Sequence, residues 1–297
     1  MSPEPTTGVA HDPALLLIAH GTRNPAGATE MDTLVGHLRA RLTTPVAAAW
    51  LEDFSEPDAA TAAADLVAAG ARHIVTLPFL VLGAGHAKTD VPEAVHEAAG
   101  AHPDVAFTHG RVLGLHPELF AVARERVDAV SDPAGRADEV LLVTGAGSSD
   151  PDANGDLDKA ARVLAEQTGH RWTETAYAGV TWPRADEVFV RLARAGVERV
   201  TRFSWSLLAG VLEQRVDGWA DEAAQRTDLR IADAGRFGPD PRVADAVLDR
   251  YREALTGDAR MNCDLCAYRL PLPGLERRVG APSAGGLGSA VHPAARG

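Results

Sequence analysis

The chain has few cysteines, few aromatic residues and no long apolar run. Two cysteines among 297 residues argue against a disulfide-built extracellular module. Its apolar runs fall well short of the roughly 18 residues that indicate a membrane-spanning helix, and its first residues lack the basic and apolar regions of a secretory signal. These absences predict a soluble, cytoplasmic protein.

A basic excess and a nucleotide-binding loop are also missing. The 29 Lys and Arg residues are outnumbered by 41 Asp and Glu residues, which gives a formal net charge of -12. Nucleic-acid binding needs a concentrated basic surface, so we predict no nucleic-acid partner and no membrane partner. No Gly-rich loop ends in Gly-Lys-Ser or Gly-Lys-Thr, and we therefore predict no nucleotide cofactor.

The sequence repeats itself once along its length. Pro25 corresponds to Pro151 and Pro57 to Pro183, each pair 126 residues apart, and no insertion is needed between these positions. Solenoid repeats are roughly 20 to 50 residues long. A period of this length therefore indicates a duplicated domain.

Apolar runs alternate with turns and helix-period segments in both copies. This order predicts an α/β fold with two tandem doubly wound domains, each with a parallel sheet of about four strands flanked by helices. The first helix is expected at roughly residues 28–42. The predicted strands are Leu15–Ala19, Val46–Leu51, Ile74–Leu82, Val105–Thr108, Val140–Thr144, Thr173–Ala178, Arg199–Ser206 and Leu229–Ala232.

Composition sets the expected domain boundaries. We predict a flexible N-terminus at 1–12, a first domain at 13–131 and its copy at 138–257, joined by a Pro- and Gly-containing linker at 131–139. Residues 258–297 form a Cys-containing tail that ends in Gly, Ala, Ser and Pro. This tail is expected to be largely disordered, because it has little to bury.

Three potential metal ligands follow three successive strands of the first copy. In parallel sheets, ligands bind beyond the carboxyl ends of the strands, and His20, Glu52 and His86 each lie where a strand ends. The second copy has no such ligands, because the corresponding residues are Ala146, Ala178 and Leu212. Two imidazoles and a carboxylate suit first-row transition metals, so the sequence predicts a single metal site in the first domain.

Other interpretations of these segments stay open. A histidine near a sheet is most often a packed or solvated residue, and Glu52 could belong to a solvated acidic strand end. The Gly-rich segment at 145–150 resembles a dinucleotide loop but is better explained as the repeat copy of residues 19–24. The acidic stretch from Asp150 to Asp158 is interpreted as a helix start.

Three motifs make the chain similar to the sirohydrochlorin chelatases, which insert a divalent metal into a tetrapyrrole without ATP. They are IAHGTR at 18–23, WLEDFSEPD at 50–58 and LPFLVLGAGHAKTDVPE at 77–93. The second half resembles the ligand-free half of the long, two-domain cobaltochelatase or ferrochelatase members. The resemblance implies that His20, Glu52 and His86 are the catalytic and metal-binding residues.

The resemblance also implies a substrate and its contacts. Sirohydrochlorin is a flat macrocycle with eight carboxylates, expected in the cleft between the domains and held by local basic residues; the candidates are Arg23, Lys88, Arg111 and Arg202. The metal substrate would be Co2+ or Fe2+, for cobalamin or sirohaem biosynthesis.

The Met-x-Cys-x-x-Cys string at 261–266 is similar to one associated with an iron-sulfur centre in long cobalt-inserting relatives. Cys263 and Cys266 are the candidate cluster ligands. A four-thiolate cluster would need two chains, and a monomer or a homodimer are both compatible with the sequence. A pair of exposed thiols is the alternative interpretation.

Two other classes of function compete with the enzyme. A metal- or tetrapyrrole-carrying protein would have the same two-domain fold, because fold alone does not decide function. An inactive structural partner is the third possibility, but three intact ligands in one half argue against it.

Overall fold

The structure is a computed structural model that describes residues 12–52 and 55–257. The predicted N-terminal segment up to residue 11 and the predicted tail from residue 258 lie outside the described residues. Within the described ranges, no helix combines the length and the apolar character needed to cross a membrane.

Each half of the chain forms a four-stranded parallel sheet. The strand orders are β2-β1-β3-β4 and β6-β5-β7-β8, which confirms the predicted pair of doubly wound α/β units. The first half contains β1 (Ala14–Ala19), α1 (Pro25–Arg39), β2 (Val46–Trp50), α2 (Ala59–Ala68), β3 (His73–Pro78), a π-helical turn (His86–Asp90), α3 (Val91–Ala101), β4 (Ala106–His109) and α4 (Pro117–Val130).

The second half repeats this order after a 3-10 helix at Pro133–Asp138, which lies in the predicted linker. It contains β5 (Val140–Gly145), α5 (Pro151–Thr168), β6 (Trp172–Tyr177), α6 (Ala185–Arg194), β7 (Arg199–Ser204), α7 (Val211–Arg226), β8 (Arg230–Asp233) and α8 (Pro241–Thr256). The linker is not loose, because the buried Arg136 hydrogen-bonds the carbonyls of Ser131 and Thr168 at 2.8 Å.

Two predicted boundaries were wrong for identifiable reasons. The third strand ends at Pro78, because the carbonyls of Leu80 and Val81 accept hydrogen bonds from the loop at 113–114 and leave the sheet. Helix α1 begins at Pro25, earlier than expected. Asn24 caps it by accepting a hydrogen bond from Ala26 N, a start signal typical of Asn followed by Pro at the first helical position.

The two halves exchange their last helices. Helix α4 of the first half packs against α5 and β7, whereas α8 of the second half packs against α1 and β3. One core cluster therefore runs through both halves, and two smaller clusters lie on the outer faces of the two sheets.

Aromatic packing fixes one of the exchanged helices. Phe120 of α4 lies 5.2 Å, between ring centroids, from Trp205 of the second half. Trp205 in turn packs against Phe237 at 4.9 Å and Phe203 at 6.1 Å. Such pairs add about 0.5 to 1.5 kcal/mol beyond their burial, so this cluster holds the first half's helix on the second half's core.

We predict that Phe120→Ala lowers the free energy of unfolding by about 3 to 5 kcal/mol, because it opens a cavity in a shared core. The control is Val130→Ala on the same helix, where the side chain is exposed and the expected change is within about 0.5 kcal/mol. Urea denaturation followed by tryptophan fluorescence measures both. Equal effects of the two substitutions would contradict this role of Phe120.

A buried histidine in the second half makes the free energy of unfolding depend on pH. His170 Nδ1 lies 2.8 Å from Thr168 Oγ1, and its Nε2 lies 3.3 Å from Glu139 Oε1. Burial lowers the pKa of His170, although the bond with Glu139 opposes this shift. The unfolded chain therefore takes up a proton more readily than the folded one, and the stability present above a pH of about 6.5 is lost as the pH falls below it.

We predict that His170→Gln makes the loss of stability between about pH 7 and about pH 5 shallower, because it removes this proton uptake. Urea denaturation at several pH values measures the slope. The exposed His96→Gln is the control for loss of a histidine and is expected to keep the parent slope. A His170 variant with the parent slope would refute the assignment.

Candidate metal centre

Strand pairing brings the ends of the first three strands together. Strand β1 lies between β2 and β3, and the pairing continues past its end, where Leu51 N donates to Ala19 O at 2.9 Å and Glu52 N donates to His20 O at 3.1 Å. His86 begins the π-helical turn that follows β3. The fold therefore places all three predicted ligands at one edge of the first sheet.

The three side chains are close enough to share one ion. His20 Nε2 lies 3.5 Å from Glu52 Oε1, the two imidazole rings are 4.4 Å apart and nearly perpendicular, and one ligand atom from each residue lies within 4.8 Å of the others. In a tetrahedral site with metal-ligand distances of about 2.1 Å, ligand atoms are about 3.4 Å apart. Small side-chain rotations are enough to close this set around a cation.

The site is open to solvent on one side. The side chains of His20, Glu52 and His86 are 46%, 37% and 41% exposed. Catalytic metal sites differ from structural ones in keeping a coordination position open. Three protein ligands with an accessible face therefore suit a site where a metal ion arrives and leaves. Within the described part of the chain, this is the one such group of three or more ligands.

The environments of the two histidines differ. Burial and the neighbouring His86 lower the pKa of His20, although Glu52 partly offsets this. The neutral imidazole, which is the form that binds metals, is thereby favoured at His20. The pKa of His86 is raised. The hydrogen bond between its Nδ1 and the Asp90 carboxylate favours the charged ring, and this effect exceeds the opposing effect of burial.

Asp90 is a site residue that the sequence interpretation missed. Its carboxylate contacts His86 Nδ1, which leaves Nε2 as the ring nitrogen available to a metal. A carboxylate behind a ligating histidine fixes its tautomer and ring orientation. The signal was present in the sequence, because residues four apart face each other on a helical turn.

A known protein family matches both halves of the chain. A family model described as CbiX matches residues 14–130 and, a second time, residues 140–254. The chain belongs to the CbiX family. The two matches correspond to the two sheets of the structure, and the resemblance inferred from the motifs is confirmed.

Individual relatives are similar over most of their length. The chain is 34% identical to a sirohydrochlorin cobaltochelatase of Priestia megaterium over 264 residues, which cover 86% of this chain and 85% of the relative. It is 28% identical over 259 residues to a sirohydrochlorin ferrochelatase of Bacillus subtilis (strain 168), covering 86% and 97%. The solved structure of SirB from Bacillus subtilis with Fe3+ superposes with a TM-score of 0.73 at 26% identity, covering 84% of this chain and all of that one.

Two of the four predicted substrate clamps are internal ion-pair partners in this structure. Arg202 is 2% exposed, and its guanidinium contacts Asp217 of α7 and Asp233 of β8. The side chain of Lys88 is 4% exposed, with Nζ 2.7 Å from Asp150 Oδ2. Their role as substrate contacts stays a prediction, and the sequence did not indicate that both side chains are buried against carboxylates.

The other two candidates lie closer to solvent. Arg111 is half-buried and forms a bidentate pair with Glu253 of α8, at 2.8 and 2.9 Å. Arg23 is exposed in the loop between His20 and α1. Their role as substrate contacts stays a prediction. Cys263 and Cys266 lie outside the described residues, so the iron-sulfur cluster also stays a prediction.

We predict that Asp90→Asn weakens Co2+ binding about 10- to 100-fold, because His86 loses the carboxylate that orients it. Calorimetric titration of the purified protein measures the affinity. Asp65→Asn, which removes one exposed acidic group from α2, is the control and is expected to bind Co2+ like the parent. Parent-like affinity of the Asp90 variant would show that this contact does not serve the metal site.

Proposed function

We propose that the chain is a sirohydrochlorin chelatase that inserts Co2+ or Fe2+ into sirohydrochlorin, a step of cobalamin or sirohaem biosynthesis. The observation that carries the proposal is the convergence of His20, Glu52 and His86, whose ligand atoms lie within 4.8 Å of one another at a solvent-accessible edge. Family membership and relatives named as cobaltochelatase and ferrochelatase support it.

The proposed reaction exchanges a metal ion for two protons. His20, Glu52 and His86 hold M2+ as the incoming substrate, with Glu52 supplying the negative charge that draws the cation in. The ion then passes to the four pyrrole nitrogens as the macrocycle loses two N–H protons. An imidazole that has released the metal can accept a proton near neutral pH, because its reference pKa is about 6.5.

The open face of the site supports transfer to a macrocycle. A flat tetrapyrrole must approach the ion from the side that carries no protein ligand, and the exposure of the three side chains leaves such a side. Arg23, in the loop that follows His20, is the one exposed residue among our four candidates for contact with a substrate carboxylate, and guanidinium groups bind carboxylates well.

We predict that His20→Ala and His86→Ala each reduce metal insertion more than about 100-fold, because loss of a ligand should exceed the 10- to 100-fold cost of losing an outer partner. The measurement is an anaerobic assay of sirohydrochlorin absorbance with Co2+ and Fe2+, singly and in competition, and with an enzyme-free blank. The exposed His96→Ala is the control and should retain the parent rate.

The same assay separates the enzyme from a carrier. With a carrier, Co2+ would bind but the sirohydrochlorin spectrum would change no faster than in the enzyme-free blank. A chelatase would convert many equivalents of sirohydrochlorin per chain. Substantial turnover by both histidine variants would refute the ligand assignments. Absence of turnover by the parent with either metal would refute the proposed activity.

A further inference from the structure

Two contacts between loops join the two halves, and each contact is the counterpart of the other in the duplicated domain. The loop after β1 contacts the loop after β7, and the loop after β5 contacts the π-helical turn after β3. These are equivalent elements with the halves interchanged. Each contact involves a segment that carries one of the proposed ligand histidines, so the ligand-free half contacts residues two positions away from both His20 and His86.

The first contact holds the segment next to His20. Thr22 Oγ1 donates to Ala209 O at 2.9 Å, and Ala209 N donates to Glu30 Oε2 at 2.7 Å. Gly27 has no room for a side chain here, because a Cβ would lie 2.4 Å from the Ala209 carbonyl oxygen. The loop after β1 and the first turn of α1 therefore pack directly against the loop after β7.

The second contact is an ion cluster in which Lys88 and Asp150 are buried and Asp152 is partly exposed. Lys88 Nζ lies 2.7 Å from Asp150 Oδ2 and 2.8 Å from Asp152 Oδ2, and the side chains of Lys88 and Asp150 are 4% and 5% exposed. Asp150 is itself fixed, because it caps α5 by accepting a hydrogen bond from Asp152 N at 3.1 Å. Lys88 is thus tied to a rigid helix end of the ligand-free half.

Lys88 lies in the same π-helical turn as His86 and Asp90. Lys88 N donates to Ala84 O at 3.1 Å, and Val91 N donates to His86 O across the turn. The turn is short and internally bonded, so a displacement of Lys88 moves His86 with it. Lys88 faces the second half, whereas His86 and Asp90 contact each other beside the metal ligands.

Stability alone is a poor reason for such a cluster. Taking charges out of water is costly, and buried ion pairs often contribute little or nothing relative to apolar residues of the same volume. A buried ion pair with good geometry does fix the position of the segments that it joins. Here it fixes the turn that contains His86, two residues before Lys88.

We propose that Lys88 is a positioning residue: anchored by Asp150 and Asp152 of the ligand-free half, it holds the π-helical turn so that His86 stands at coordinating distance from His20 and Glu52. The inference rests on the proposed function, because it takes these three residues as the metal-holding set. It gives the second half a part in metal capture without any ligand of its own.

The test compares Co2+ affinity, the visible ligand-field spectrum of bound Co2+ and thermal stability in the full chain. Lys88→Met removes the anchor but leaves the buried Asp150 carboxylate and the partly exposed Asp152 carboxylate without their lysine partner. The triple variant Lys88→Met, Asp150→Asn, Asp152→Asn removes the unpaired charges as well. The control is Arg136→Met, which removes a cation as buried as Lys88 from its ion pair with the more exposed Asp128 at the linker. A His20→Ala, His86→Ala variant reports Co2+ bound elsewhere, including at Cys263 and Cys266, and its signal is subtracted.

We expect Lys88→Met to lose stability and to bind Co2+ about 10- to 100-fold more weakly, with an altered spectrum, as for loss of an outer-shell group. The triple variant should regain most of the stability but not the affinity. Arg136→Met should lose stability yet bind Co2+ like the parent.

Parent affinity and spectrum in the triple variant would overturn the proposal, as would an equal loss of affinity in Arg136→Met. A raised KM for sirohydrochlorin with unchanged Co2+ affinity would overturn it in favour of a substrate-clamping lysine. Turnover of the parent is measured separately. Its absence would refute the proposed activity and leave the affinity comparison intact.

Discussion

The structure depends on the exchange of the last helix between the two halves. Because α4 covers the second sheet and α8 covers the first, neither sheet buries its inner face without the other half. Arg250 of α8 strengthens this dependence by donating to the carbonyls of Val112 and Leu113 from a buried position. The two halves therefore share one core, and contacts from both halves lie next to the edge that carries the proposed metal ligands.

The two copies of the duplicated domain differ at the positions of the proposed metal ligands. In the first half, the turn after β3 presents His86 to the cation site. In the second half the equivalent segment is the start of α7, where Glu213 pairs with Arg236 at 3.0 Å. Arg236 also contacts Glu30 of the first half. The segment that carries a proposed metal ligand in one copy thus carries an internal ion pair in the other, and the arginine of that pair also contacts the first half.

Much of the fold and the convergence of three possible ligands could be predicted from the sequence, because both follow from local periodicity and from comparison of the two copies. His20, Glu52 and His86 stood out as strand-end residues replaced in the second copy. The helix exchange could not be predicted, because hydrophobic periodicity shows that α4 has an apolar face but not which sheet it covers. The partners of Lys88 and Arg202 depend on contacts between distant segments, and charge patterns do not identify such contacts.

The central claim is that one transition-metal ion is bound by two imidazoles and one carboxylate, all from the first half. Anomalous X-ray diffraction from a crystal of the protein soaked with Co2+ tests it most directly. We expect one strong peak per chain within bonding distance of His20, Glu52 and His86. A strongest peak elsewhere, with none between these side chains, would contradict it.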